Sequence, residues 1–92
     1  MSVWKAKRRQ EVVREREVSL TAVDEATGLE LEVKQYTSRG TWYLYVLGRL
    51  AGVPIMAHDS GPTTMSEDEA RARCVQMAAD LAAAGVTPKA AP

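Results

Sequence analysis

Several residue types are scarce in this sequence. It contains no Phe and no Asn, and Ile, His and Cys each occur once. A single cysteine, Cys74, excludes an internal disulfide and is typical of a reducing compartment. One His and one Cys are too few for a zinc site built by one chain, so we expect no bound metal. Avoidance of AT-rich codons would produce the lack of Phe and Asn and the single Ile, a composition typical of GC-rich genomes such as those of actinobacteria and their phages.

Net charge and long apolar runs are also lacking. Twelve basic and twelve acidic residues cancel over 92 residues, so no overall field attracts nucleic acid or a membrane surface. No apolar run approaches the roughly 20 residues of a membrane span. No apolar segment follows the basic start, as it would in a secretory signal. The sequence therefore predicts one small cytoplasmic protein that does not bind a membrane.

Residues 18–60 have the pattern of antiparallel strands. Apolar and polar residues alternate over 18–22 and again over 29–34, which is the period of a strand with one covered face. Arg39-Gly40 and Ala51-Gly52 separate strand-like runs and are candidate two-residue hairpin loops. The pattern predicts a four-stranded antiparallel meander.

The two candidate loops also predict a strand register. A two-residue loop at Arg39-Gly40 gives aromatic, cation–π and opposite-charge pairs across the hairpin, namely Tyr36 with Tyr43, Lys34 with Tyr45 and Glu30 with Arg49. Such cross-strand pairs each stabilise a sheet by about 0.2–1 kcal/mol. Extension across Ala51-Gly52 places Tyr45 beside His58 and Leu47 beside Met56.

A C-terminal helix has clear start and stop signals. Ser66 and Glu69 form an S-x-x-E capping box, and the acids of this turn lie at the positive end of the helix dipole. Gly85, followed by Pro88, ends the helix. Apolar residues recur between these ends at helical spacing, at Ala70, Cys74, Met77, Ala78 and Leu81. We predict a helix over 66–84 that packs on Trp42 and Leu44.

The predicted fold class is therefore α+β. It is a four-stranded antiparallel meander with one C-terminal helix packed on one face and a basic N-terminal arm. The arm spans residues 1–17 and is helical, a strand extension or disordered. The single domain spans 18–85, and a flexible tail spans 86–92.

Residues able to carry catalysis form no working arrangement. His58, Asp59 and Ser60 are consecutive, and successive strand residues point to opposite faces, so they cannot form a catalytic relay. Cys74 lies on the apolar stripe of the helix, as a core residue does. Gly61-Pro62 is a loop break rather than a phosphate-binding motif. We predict no enzyme activity, no cofactor and no small-molecule substrate.

One strand, 42–47, is apolar on both faces, although a single helix covers only one face of a small sheet. The other face is predicted to carry an aromatic patch with a charged rim, which is typical of protein interfaces. We call this set the outer-face patch, and its residues are Tyr36, Tyr43, Tyr45, Leu47, Met56 and His58. We expect it to bind another protein or a second copy of the chain, unless the N-terminal segment folds over it.

The N-terminal arm supports an alternative function. Residues 1–17 carry six Lys or Arg against three Glu. Cations here would neutralise phosphates and an indole would stack on a base, which describes a nucleic-acid-binding regulatory protein. The residues involved are Trp4, Lys5, Lys7, Arg8 and Arg9.

Two family resemblances bear on this alternative. The order of strands and helix, with Trp42-Tyr43 and a later Ser66-Glu-Asp-Glu-Ala, resembles the arm-binding domains of phage-type integrases, which insert a sheet into a DNA groove. The chain departs from that family in charge, because Arg49 is the only Lys or Arg between Trp42 and Ser66. The C-terminal part is slightly similar to a double-stranded RNA-binding domain, but acids 67–69 stand where that family has lysines. Neither resemblance supports nucleic-acid binding by the sheet.

Overall fold

The computed structural model describes residues 3–12, 15–36 and 40–89. They form one antiparallel sheet followed by one helix. The elements are β1 (Lys5–Val12), β2 (Glu15–Val23), β3 (Glu30–Gln35), β4 (Trp42–Leu50), β5 (Val53–Ser60) and α1 (Glu67–Ala83). The strands are neighbours in space in chain order, so the sheet is a meander. The predicted α+β class, with a C-terminal helix on one face, is confirmed.

The N-terminal segment supplies a further strand. The four strands predicted from the sequence correspond to β2–β5, and β1 pairs with β2 from Lys5↔Thr21 to Val12↔Glu15. Of the three states left open for the arm, the backbone of 5–12 therefore adopts the strand extension. The sheet of the described residues has five strands and is bounded by β1 and β5.

The predicted core beneath the helix is confirmed. Helix α1 packs against β3 and β4. Trp42, Leu44, Ala70 and Cys74 are buried, and Met77 and Leu81 pack against them at the border of the core. Across the part of the chain that is described, no helix is long and apolar enough to cross a membrane.

Both predicted ends of the helix are present. The Ser66 hydroxyl oxygen accepts a 3.1 Å hydrogen bond from the Glu69 backbone N–H, which is the expected N-cap contact. At the other end Gly85 adopts a φ of 101°. The Val86 N–H donates to the Leu81 carbonyl, which is the pattern of a Schellman C-cap.

The register predicted between β3 and β4 is wrong by two residues. Tyr43 lies opposite Lys34 rather than Tyr36, and Tyr45 lies opposite Glu32 rather than Lys34. The reason is the connection, which spans 36–41 instead of forming a two-residue loop. The side-chain amide of Gln35 donates to the Gly40 carbonyl at 3.0 Å across it.

A shift of two residues keeps every side chain on its predicted face, because side chains alternate with a period of two. The charge pair predicted between Glu30 and Arg49 is wrong, because the two residues are not opposite each other. Glu30 lies opposite Leu47, and the Arg49 guanidinium donates to the carbonyls of Gly52 and Lys89.

The register predicted between β4 and β5 is confirmed. Ala51 and Gly52 form a two-residue loop with φ values of 51° and 81°, as a type I′ turn requires. Tyr45 therefore lies opposite His58, and Leu47 opposite Met56.

Residues 86–89 return to the sheet, although the sequence placed them in a flexible tail. Thr87 exchanges two backbone hydrogen bonds of 2.8 Å with Arg49, and Val86 is buried. Gly48 makes this possible, because a Cβ there would lie 2.7 Å from both the Thr87 carbonyl oxygen and Val86 Cγ1. The remainder of that tail, 90–92, lies outside the described residues.

Candidate protein-binding surface

The two faces of the sheet differ in what covers them. Along β4, side chains alternate between buried residues such as Trp42 and half-buried ones such as Tyr43. The buried set faces α1, and the half-buried set lies on the opposite face, which we call the outer face. The outer-face patch lies on this second side of the sheet.

Four aromatic rings of the patch contact one another in sequence. The ring centroids of Tyr36 and Tyr43 are 5.7 Å apart. Tyr43 stacks on His58 at 6.1 Å with an interplanar angle of 16°, and His58 lies 5.2 Å from Tyr45. All three separations fall in the range of favourable aromatic pairs. The rings therefore form one connected cluster across β4 and β5.

Lys34 completes this cluster on the β3 side. Its ammonium nitrogen lies 5.9 Å from the centroid of the Tyr45 ring, within cation–π range. The predicted contacts of Lys34 with Tyr45 and of Tyr36 with Tyr43 thus form, although they are diagonal rather than directly opposite. Long side chains reach diagonal neighbours, because these are only about 7–8 Å apart at Cα.

The exposure of the patch is graded from its centre to its border. Tyr36 is 46 % exposed and Met56 is 61 % exposed. His58 is also exposed, whereas Tyr43, Tyr45 and Leu47 are half-buried by their neighbours. The centre is therefore packed among its neighbours, and its border carries apolar surface in contact with water.

A buried hydroxyl holds the carboxylate of Glu32, which lies at the border of the patch. Ser19, on β2, is 2 % exposed, and its hydroxyl donates a 2.7 Å hydrogen bond to Glu32 Oε2. The same carboxylate oxygen lies 4.0 Å from Lys34 Nζ. Ser19 is not among the residues that the sequence pattern assigns to the patch. The alternation of β2 places it on this face, but its contact with Glu32 depends on the β2–β3 register.

Tyr45 occupies a partly desolvated position in the cluster. Burial raises the pKa of its hydroxyl, and Tyr36, Glu32 and Tyr43 raise it further. A hydrogen bond with the Tyr36 side chain also raises this pKa, so the hydroxyl already has a partner within the cluster. The apolar ring of Tyr45 is therefore the part that it offers to an interface.

An open cavity continues the outer face beyond Leu47. Its volume is about 730 Å³. Its lining mixes acidic and basic side chains and includes Lys5, Thr21, Glu30, Glu32, Leu47 and Lys89. The patch is thus bordered on this side by charges of both signs rather than by a basic surface.

The N-terminal residues do not form the basic, base-stacking surface that the nucleic-acid hypothesis requires in the part of the arm whose side chains are described. Trp4 is half-buried and packs against the core, and the Arg71 guanidinium carbon lies 5.8 Å from its ring centroid. Lys5 is exposed at the start of β1. The side chains of Lys7, Arg8 and Arg9 lie outside the described residues. The backbone of 5–12 lies beside β2 rather than across the aromatic cluster.

The candidate catalytic and metal-binding residues have structural contacts. Asp59 accepts hydrogen bonds from the Ser60 backbone N–H and from Arg73 Nε. The Cys74 thiol donates to the Tyr45 carbonyl at 3.3 Å, and burial raises its pKa to about 11. Within the described ranges, no three His, Cys, Asp or Glu side chains are placed to hold a metal ion.

Comparison with known proteins gives no relative: no protein-family model, no curated protein and no solved structure matches this chain. A function is therefore inferred from the chemistry of the surface itself.

Proposed function

We propose that this chain is a small non-catalytic module that binds another protein through its outer-face patch. The observation that carries the proposal is the connected cluster of Tyr36, Tyr43, Tyr45 and His58 on the face opposite α1. Aromatic residues and Met are enriched in protein interfaces, and charged residues are excluded to their rims. The patch has this composition.

The charges around the patch favour a protein over a nucleic acid. In β3–β5 the cations are Lys34 and Arg49. Lys34 lies beside Glu32, and the guanidinium of Arg49 donates to two carbonyls. Binding to a nucleic acid needs several cations facing phosphates, and β3–β5 contribute too few to this surface.

The contact of Trp4 with the core weakens the nucleic-acid alternative further. An indole that stacks on a base must offer an open face, whereas the Trp4 ring packs on the core and against Arg71. The alternative therefore depends on the four cations of 5–9, and salt-sensitive binding of DNA or RNA is the result that would support it.

Tyr45 is the expected anchor, because Lys34 and His58 flank it. Truncation of an interface anchor typically costs about 2 kcal/mol or more, which corresponds to a roughly 30-fold loss of affinity. A rim residue such as Glu30 is expected to contribute much less, because exposed charges are screened by water and salt.

The test compares Tyr45→Glu with Tyr45→Phe, which keeps the ring and loses only the hydroxyl. Tagged wild-type protein is used to capture partners from an extract of the source cells, and one captured partner is purified. Its dissociation constant is then measured by calorimetry. We expect Tyr45→Glu to weaken binding at least about 30-fold and Tyr45→Phe to bind nearly as wild type, with the helical circular dichroism of both unchanged. A partner that binds all three proteins equally would exclude the patch as its site.

A further inference from the structure

Among the described residues, no strand pairs with the outer side of β5, which lies at one edge of the sheet. The two residues that flank a two-residue loop form a hydrogen-bonded pair, and here they are Leu50 and Val53. Hydrogen-bonded pairs alternate along an antiparallel ladder, so the odd-numbered residues of β5 form backbone hydrogen bonds with β4. The hydrogen bond from the Gly61 N–H to the Trp42 carbonyl belongs to the same series. The backbone C=O groups of the even-numbered residues 54, 56, 58 and 60, and the N–H groups of 56, 58 and 60, therefore point away from β4.

Both ends of this free edge are blocked. Pro54 has no N–H to donate, which is typical of edge strands. The Ser60 N–H donates to Asp59 Oδ1 at 2.8 Å, and Arg73 holds this carboxylate in place at 3.0 Å. The centre differs, because Met56 and His58 keep their N–H groups directed at the free side.

Charge distinguishes this edge from the other one. Strand β1 carries four Lys or Arg among its eight residues, and lysine on an edge opposes pairing with a copy of itself. Strand β5 carries a single acid, Asp59, which forms an ion pair with Arg73 at 3.0 Å. Two β5 strands can therefore lie side by side without facing like charges.

We propose that two copies of this chain pair antiparallel through their β5 edges, about a twofold axis at Ala57. In this register Met56 of each copy lies opposite His58 of the other copy, and the two residues exchange backbone hydrogen bonds. The blocked residues, Pro54 and Ser60, then face each other. Every open donor obtains an acceptor, and a ten-stranded sheet results.

The axis is perpendicular to the sheet, so both outer-face patches lie on one side of the dimer. Met56, which is 61 % exposed, then packs beside His58 of the second copy. The dimer thus joins two aromatic clusters into one surface without using Tyr45. The pairing does not rest on the proposed partner binding, because its hydrogen bonds come from the backbone of β5, although the side chains of Met56 and His58 belong to both surfaces.

Disulfide formation tests the register directly. Two Ala57 residues form a non-hydrogen-bonded pair across the axis, with Cα atoms about 4.5 Å apart, within the range that a disulfide spans. Two Met56 residues are about 8 Å apart, beyond that range. In a Cys74→Ala background, Ala57→Cys is expected to form a covalent dimer under mild oxidation far faster than Met56→Cys. Equal or slower cross-linking of Ala57→Cys overturns the proposal.

Sedimentation equilibrium tests the role of the edge N–H. Wild type is expected to be a dimer, Met56→Ala a dimer, and Met56→Pro a monomer with unchanged helical circular dichroism. A monomeric wild type overturns the proposal, as does a folded Met56→Pro that remains dimeric. If Met56→Pro does not fold, the comparison of cross-linking rates between Ala57→Cys and Met56→Cys tests the proposal. A dimer that is lost in Tyr45→Glu but kept in Met56→Pro would place self-association on the face and exclude the edge.

Discussion

His58 and Tyr45 lie directly opposite each other on β5 and β4, with their ring centroids 5.2 Å apart. An aromatic pair of this kind stabilises a sheet by about 0.5–1 kcal/mol beyond its buried area. We expect His58→Ala to lower the free energy of unfolding by at least that amount in urea denaturation, because it also removes the stacking of His58 on Tyr43. In a double-mutant cycle with Tyr45→Ala, the coupling energy should be of the same size. Strict additivity of the two changes would show that the rings do not interact.

Trp4 is expected to act as a structural residue. Its ring packs on the core and against Arg71, so Trp4→Ala should lower the free energy of unfolding by about 1–3 kcal/mol. Trp4→Phe, which keeps an aromatic ring, should lose less. Both are measured by urea denaturation. If Trp4→Ala instead left stability unchanged and abolished salt-sensitive nucleic-acid binding, the arm hypothesis would gain support.

Gly48 is expected to control the packing of the C-terminal segment. A Cβ at this position would lie 2.7 Å from the Thr87 carbonyl oxygen, so Gly48→Ala must displace the backbone of that segment. We expect a loss of about 1–3 kcal/mol, together with faster amide exchange at Thr87. The control is the same change in a chain that ends at Gly85, where the cost should be much smaller. An equal cost in both chains would contradict this role.

The Cys74 thiol is expected to make stability depend on alkaline pH. Burial raises its pKa from 9.0 to about 11, so the folded state holds the proton more tightly than the unfolded state does. Its contribution is complete below the unfolded pKa and is lost as pH rises through that of the folded state. The free energy of unfolding should therefore fall between pH 9 and about 11.

The matched control for Cys74 is Cys74→Ala, in which this part of the pH dependence should disappear. The thiol of the native protein should also react slowly with a thiol reagent such as Ellman's reagent, because reaction requires the thiolate. A fast reaction at neutral pH, with the fold intact, would contradict the burial of this group.

Features encoded by neighbouring residues could be predicted from the sequence. The capping contact of Ser66 with Glu69 and the stop at Gly85 depend only on local backbone chemistry. The loop at Ala51-Gly52 fixes the register of β4 with β5, because two residues leave no freedom in how the strands meet. The alternation of apolar residues assigns Tyr45 to the outer face for the same local reason.

The β3–β4 register could not be obtained in this way. A period of two assigns a face but is unchanged by a shift of two residues, so the alternation fits the assumed pairing of Lys34 with Tyr45 and the observed pairing with Tyr43 equally well. The length of the connection decides between them, and it depends on contacts such as Gln35 with Gly40.

The sequence by itself determined the α+β class, the helix and its ends, and the faces of the strands, because each follows from interactions within a few residues. Only the tertiary structure decided that β1 pairs along β2, that Thr87 bonds to Arg49 beside Gly48, and that the rings of the outer face contact one another across neighbouring strands. These features join segments far apart in the chain. Their free energy depends on surfaces that meet only after folding, and no local pattern specifies them.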